Sequence, residues 1–105
     1  MIAMRITLTI IAGPLQGTEF SFAERDTFLV GRSRYAHFRV KDKYLSSIHF
    51  MMELKPPLCR LIDLGSHNGT FVNGTKTFTA DLKTGDVIRA GHTTLQVRVA
   101  DGDPV

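Results

Sequence analysis

Hydrophobic and polar positions change places every second residue over short stretches of this chain. Ile6, Leu8 and Ile10 are separated by Thr7 and Thr9, and Phe20 and Phe22 flank Ser21. A period of two puts alternate side chains on opposite faces of an extended backbone, so these stretches predict half-buried β-strands. Phe28-Leu29-Val30, His49 to Leu54, Leu58 to Leu64, Phe71-Val72, Val87-Ile88 and Leu95 to Val99 add short runs rich in β-branched and aromatic residues. Turn formers part them: Gly13-Pro14, Gly31, Pro56-Pro57, Asn73-Gly74 and Gly91. Asn-Gly between apolar runs is the strongest short hairpin signal, because both residues tolerate the positive φ that such a turn needs. No stretch carries sustained helical periodicity with caps. About ten short strands at roughly ten-residue spacing predict an all-β fold, within the range of a two-sheet sandwich.

Two stretches break the strand pattern. Residues 32–48 are long, polar and basic, and residues 65–70, Gly-Ser-His-Asn-Gly-Thr, offer little that fills a core. Loops clustered at one end of a sandwich carry function while the sheets hold them still, so chemistry is sought here. The first stretch carries Arg32, Arg34, Arg39, Lys41 and Lys43, with Asp42 as its one acid, and then Ser46-Ser47-Ile48-His49. Together the two stretches offer a guanidinium, hydroxyls, a carboxamide and loop amides, with no matching general base. A donor set of this kind suits a phosphate, whose dianion accepts many hydrogen bonds and meets Arg through two oxygens at once.

Bulk properties narrow the field. The chain has 105 residues, 43% apolar and 22% charged, which is one globular domain. A formal charge of +3 permits an anionic partner. No aromatic stacking platform is interleaved with the cations, so no nucleic acid is expected. The single cysteine, Cys59, excludes an internal disulfide and points to a reducing compartment, hence a cytoplasmic location. No apolar run approaches the roughly 20 residues of a membrane helix, and Arg5, Thr7 and Thr9 interrupt the first twelve residues, which read as a strand. His37, His49, His67, His92 and Cys59 match no zinc spacing, so neither metal nor cofactor is expected. Ser46, His49 and Asp63 could suggest a hydrolase, but no Gly-x-Ser-x-Gly elbow is present and no catalytic residue is assigned. The polar ending Asp101-Gly102-Asp103-Pro104 reads as the start of a linker or disordered tail over 101–105 after one domain over 1–100, an ending compatible with a part of a larger multidomain protein.

Four motifs then occur in order: Gly31-Arg32, Ser46-x-x-His49, Asp63-x-Gly65-Ser66-x-Asn68-Gly69-Thr70-Phe71-Val72-Asn73-Gly74, and Leu82-x-x-Gly85-Asp86-x-Ile88-x-x-Gly91. From about residue 5 to residue 99 the chain resembles a forkhead-associated (FHA) domain. The resemblance implies a β-sandwich of about eleven strands and recognition of phosphothreonine in a partner protein. By that resemblance Arg32 would ion-pair with the phosphate, Ser46 would donate its hydroxyl to it, Ser47 would assist, and Asn68 would hold the peptide main chain. Gly31, His49 and Gly69 would shape the loops without touching ligand, and Lys43 and Tyr44 would help to read the residue three places after the phosphothreonine. Two positions depart from the family pattern. Ser47 stands where Arg is frequent, and His67 stands where a small polar residue is frequent; a His there could donate to phosphate, more strongly when protonated. The alternative is a phosphate-independent interaction or self-association domain, against which the joint presence of Arg32, Ser46 and Asn68 argues.

Overall fold

The computed structural model describes residues 4–23 and 27–101, and among these the chain is strand and loop without helix. The alternation at Ile6, Leu8 and Ile10 is realised in β1 (Met4–Ala12), where all three side chains are buried while Arg5 faces solvent. Ten strands follow: β2 (Glu19–Ala23), β3 (Thr27–Gly31), β4 (Phe38–Arg39), β5 (Phe50–Lys55), β6 (Leu58–Asp63), β7 (Thr70–Val72), β8 (Thr75–Lys76), β9 (Thr79–Asp81), β10 (Val87–Ala90) and β11 (Thr93–Asp101). The expected tail beyond Asp101 lies outside the described residues.

The strands form two sheets, one ordered β2-β1-β11-β10-β7-β8 and the other β4-β3-β5-β6-β9. The longest pairing is antiparallel, β1 against β11, with Leu8 opposite Val97 and Ile6 opposite Val99. Inward residues of both sheets meet in a single core, including Ile6, Leu8, Ile88 and Leu95 from one and Phe28, Phe50, Met52 and Leu61 from the other. Each such side chain contributes roughly 1.5–3 kcal/mol by leaving water. Cys59 belongs to this core, where burial, with Asp81 nearby, pushes its thiol up to about 11.

Two turns show how local chemistry joins the strands. Asn73 and Gly74 have φ of 50° and 85°, so the β7–β8 hairpin has positive φ at both central residues. Pro56-Pro57 turns β5 into β6, which pair from Lys55 opposite Leu58 onward. The long 32–48 segment is less loop-like than its composition suggests. It contains β4, and Ala36, Phe38, Val40 and Leu45 are buried, so apolar side chains pin the basic loop to the core at intervals. Likewise Gly69 and Thr70, in the polar stretch, are buried.

Candidate functional site

The loops after β3, β4, β6 and β10 gather at one end of the sandwich, because β3 and β4 run parallel and end together, while the antiparallel pairings of β3 with β5, β5 with β6 and β7 with β10 return the chain to that end. Backbone bonds stitch them together. Arg32 N–H donates to the Ser46 carbonyl at 3.1 Å, and Ser33 N–H to the Ser47 carbonyl at 3.0 Å. This close approach explains Gly31. A Cβ there would lie 2.2 Å from the Ser47 carbonyl oxygen and 2.9 Å from Ile48 Cα, so the backbone of the facing loop would have to shift to admit it. Gly69 has a different reason, a φ of 87°, which L side chains rarely adopt.

His49 is fully buried between these loops. Its Nδ1 accepts from Ser46 N–H at 3.0 Å, and its Nε2 lies 2.9 Å from the Gly69 carbonyl. A carbonyl only accepts and an N–H only donates, so these partners assign the proton to Nε2 and leave Nδ1 bare. The ring thus ties the Ser46 loop to the Gly69 loop. It does not face the Ser46 hydroxyl, and Asp63 does not bond it. Instead the Asp63 carboxylate accepts from Gly65 N–H, Ser66 N–H, the Ser66 hydroxyl and, at 2.7 Å, the Thr70 hydroxyl. Burial opposes ionisation, but the hydrogen bonds from Ser66 and Thr70 outweigh it and hold the carboxyl below its usual range. Ser46, His49 and Asp63 therefore shape loops here and form no hydroxyl–imidazole–carboxylate relay.

Asp42 does for the basic loop what Asp63 does for its neighbour. It is buried, and its carboxylate accepts from Tyr44 N–H at 2.9 Å, His92 N–H at 2.8 Å and the Thr93 hydroxyl at 2.7 Å. Burial raises its pKa, but the bonds from Thr93, Tyr44 and His92 prevail and the net shift is downward. Sequence reasoning saw Asp42 only as a stray acid among cations. Its isolation in that run was the one available signal.

The outward surface of this end is made of donors. Arg32 Nε donates to the Leu45 carbonyl at 3.0 Å, which anchors the guanidinium by one edge and leaves its two terminal amino groups without a partner among the described residues. The Ser46 hydroxyl oxygen accepts from His67 N–H at 2.9 Å, so its own proton remains available. Asn68 Nδ2 donates to the Tyr44 carbonyl at 3.1 Å. Ser47 and the His67 ring are exposed. Arg32, Ser46, His67 and Asn68 are thus brought together through backbone atoms of one another's loops. Lys43 and Tyr44 lie beside Asn68, with the Lys43 ammonium 5.4 Å from the Tyr44 ring centroid and the Tyr44 ring stacked on His92 at 3.8 Å. Tyr44, Asn68, Arg89, Gly91 and His92 line a depression of about 270 Å³. Arg89 and His92 carry no local motif, and only sheet pairing brings them here.

A family model described as FHA domain matches residues 28–91. The protein FhaA of Mycobacterium tuberculosis, an FHA domain-containing protein, is 38% identical over 71 residues, 68% of this chain and 14% of its own length. The chain spans less than two thirds of the curated relatives it matches. A solved domain from work on phosphothreonine-dependent FHA domain interactions superposes with a TM-score of 0.82 at 31% identity, covering 96% of this chain and 99% of that one. The FhaA FHA domain complexed with the intracellular domain of Rv3910 superposes with a TM-score of 0.80 at 32% identity, covering 89% and 99%.

Proposed function

The chain belongs to the FHA domain family, and we propose that it is a phosphothreonine-binding module in which Arg32 and Ser46 hold the phosphate and Asn68 holds the peptide main chain. FHA homologues support phosphothreonine-dependent peptide binding in general. The observation that carries the assignment to residues is the orientation of hydrogen-bonding capacity. At this end the carboxylates of Asp42 and Asp63 are taken up by loop donors, while the Arg32 amino groups and the Ser46 hydroxyl proton are left for a ligand.

A phosphothreonine dianion set against these groups accepts from the Arg32 fork and the Ser46 hydroxyl. Each charge-assisted bond contributes roughly 1.5–3 kcal/mol. The loops are already tied down by His49, Asp42 and Asp63, so little further ordering is required on binding. His67 supplies its main-chain N–H to Ser46 and projects an exposed ring that adds a donor to the phosphate. Ser47 adds a hydroxyl from the same loop. The Asn68 carboxamide, held at one hydrogen by the Tyr44 carbonyl, keeps an oxygen and a second hydrogen for the peptide backbone. The residue three places after the phosphothreonine is read by Lys43 and Tyr44, beside the depression that Tyr44 and His92 line. No catalytic step is assigned. The module takes its biology from the protein around it and the kinase that marks its partner.

The test is a titration with a degenerate phosphothreonine peptide library beside its unphosphorylated counterpart, using wild type and Arg32→Ala. Binding that requires both the phosphate and Arg32 is expected. Equal binding of the two libraries would refute the proposal and turn attention to self-association.

A further inference from the structure

The charge of this molecule is concentrated at the phosphate-facing end. The segment 32–43 holds five of the 13 basic residues and one of the 10 acids, so it carries +4 while the rest of the chain carries −1. Asp42 forms no ion pair with these cations; its buried carboxylate is directed at Tyr44, His92 and Thr93. Asp63, at the same end, is likewise occupied by Gly65, Ser66 and Thr70. Elsewhere Lys55 pairs with Glu53, Arg60 with Asp81 and Lys83 with Asp86, while Arg5, Lys76, Arg89 and Arg98 stand singly along the chain without an ion pair among the described residues, so what sets 32–43 apart is five cations within twelve residues. None of Arg32, Arg34, Arg39, Lys41 or Lys43 has an ion pair among the described residues. The partners of these side chains are neutral: the Leu45 carbonyl for Arg32, the Arg32 carbonyl for Arg39 at 3.2 Å, the Tyr35 hydroxyl and ring for Arg34, and the Tyr44 ring for Lys43.

One phosphate engages one guanidinium at a time through its fork. Arg32 alone suffices for that, which leaves four cations around it unmatched. They flank the site on both sides, Arg34 and Arg39 toward β4 and Lys43 toward Asn68. Cations crowded without counter-ions repel one another, and an anionic ligand relieves the repulsion as well as making its own contacts.

Resting on the phosphothreonine reading above, we infer that this domain selects polyanionic phosphopeptides, in which a second anionic group lies within about two to four residues of the phosphothreonine. An extended peptide advances about 3.3 Å per residue, so such a group falls on the flanking cations. The shared chemistry is a second phosphate or a cluster of carboxylates. Arg39 is the foremost candidate to meet it, because its Nε bond to the Arg32 carbonyl holds its guanidinium beside the first phosphate position.

The experiment compares four peptides of one sequence: unphosphorylated, singly phosphorylated on threonine, doubly phosphorylated, and singly phosphorylated with Asp and Glu at the flanking positions. Affinities are measured at two salt concentrations for wild type and for Arg34→Ala/Arg39→Ala. The doubly phosphorylated peptide is expected to bind at least about tenfold tighter than the singly phosphorylated one, with steeper salt dependence. The acidic peptide shows whether carboxylates serve as well as phosphate. In the double variant the ratio of doubly to singly phosphorylated affinity should fall toward one. Equal affinity of wild type for the singly and doubly phosphorylated peptides, with no gain from acidic flanks, overturns this inference and leaves the phosphothreonine reading standing. Failure to bind any phosphopeptide overturns both. A single-stranded oligonucleotide binding as tightly as the doubly phosphorylated peptide also overturns it, by making the face a general polyanion surface.

Discussion

The main-chain N–H of His67 donates to the Ser46 hydroxyl oxygen at 2.9 Å, across 21 residues of sequence. One hydroxyl therefore closes the gap between two loops with its oxygen while its proton stays free for a phosphate. Ser46→Ala removes both, and we expect phosphopeptide affinity to drop by about tenfold, a loss of about 1.4 kcal/mol. Ser46→Thr keeps both groups and should retain most of the binding. Isothermal titration of the two variants checks this.

Arg32 acts as a fork fixed at one tine. Its Nε is committed to the Leu45 carbonyl, and its terminal amino groups face outward. Arg32→Ala should lose at least about tenfold in affinity, since up to two charge-assisted bonds go with it. Arg32→Lys should recover little, because an ammonium cannot bond Leu45 and grip two phosphate oxygens together. Melting temperatures of both variants should stay near wild type, as the side chain is exposed.

His49→Ala is expected to act through stability. It strands the Ser46 N–H and the Gly69 carbonyl in a buried setting and opens a cavity. A loss of about 3 kcal/mol is expected from urea unfolding. Binding should weaken in parallel, because both loops held by the ring carry proposed ligand contacts.

Gly31→Ala places a methyl 2.2 Å from the Ser47 carbonyl oxygen. The atom it meets is backbone, so relief requires the Ser46–Ser47 loop to shift. We expect a destabilisation of about 1–3 kcal/mol and a measurable loss of phosphopeptide binding. An unchanged melting temperature would show that the loop yields more easily than its bonds suggest.

Stability should depend on acid through Asp42, Asp63 and Asp86. All three carboxyls are held below their ordinary pKa; burial opposes this, but hydrogen bonds, led by Thr93, Ser66 and Asn73 respectively, prevail. A depressed folded-state pKa means that the unfolded chain binds protons first as pH falls. The stabilisation is then fully present above about pH 4, where unfolded Asp titrates, and is lost as pH drops through the lowered values. Urea unfolding should show a decline in stability setting in near pH 4. Asp42→Asn should flatten part of that decline while lowering stability at pH 7, since its amide nitrogen cannot accept from His92 and Thr93.

The boundary between what was written locally and what folding supplied is visible in particular residues. Alternation predicted β1, and Pro56-Pro57 and Asn73-Gly74 predicted their turns, because pleat and φ preference are properties of neighbouring residues. The four-motif order and the strand count identified the fold, and the donor types in two loops pointed to phosphate. Other features depend on residues far apart. Asp42 reads as one more polar loop residue until β10 and β11 bring His92 and Thr93, 50 and 51 residues away, to its oxygens. Arg89 reaches the site region because β10 pairs with β7, placing it opposite Phe71, over whose ring its guanidinium stacks at 4.2 Å. The sequence alone determined which segments extend, where they turn and what donors the loops carry, since these follow from side-chain chemistry over a few residues. Only the tertiary structure decided which acids turn inward and which cations are left facing outward, because that depends on partners that exist once the two sheets have closed around their core.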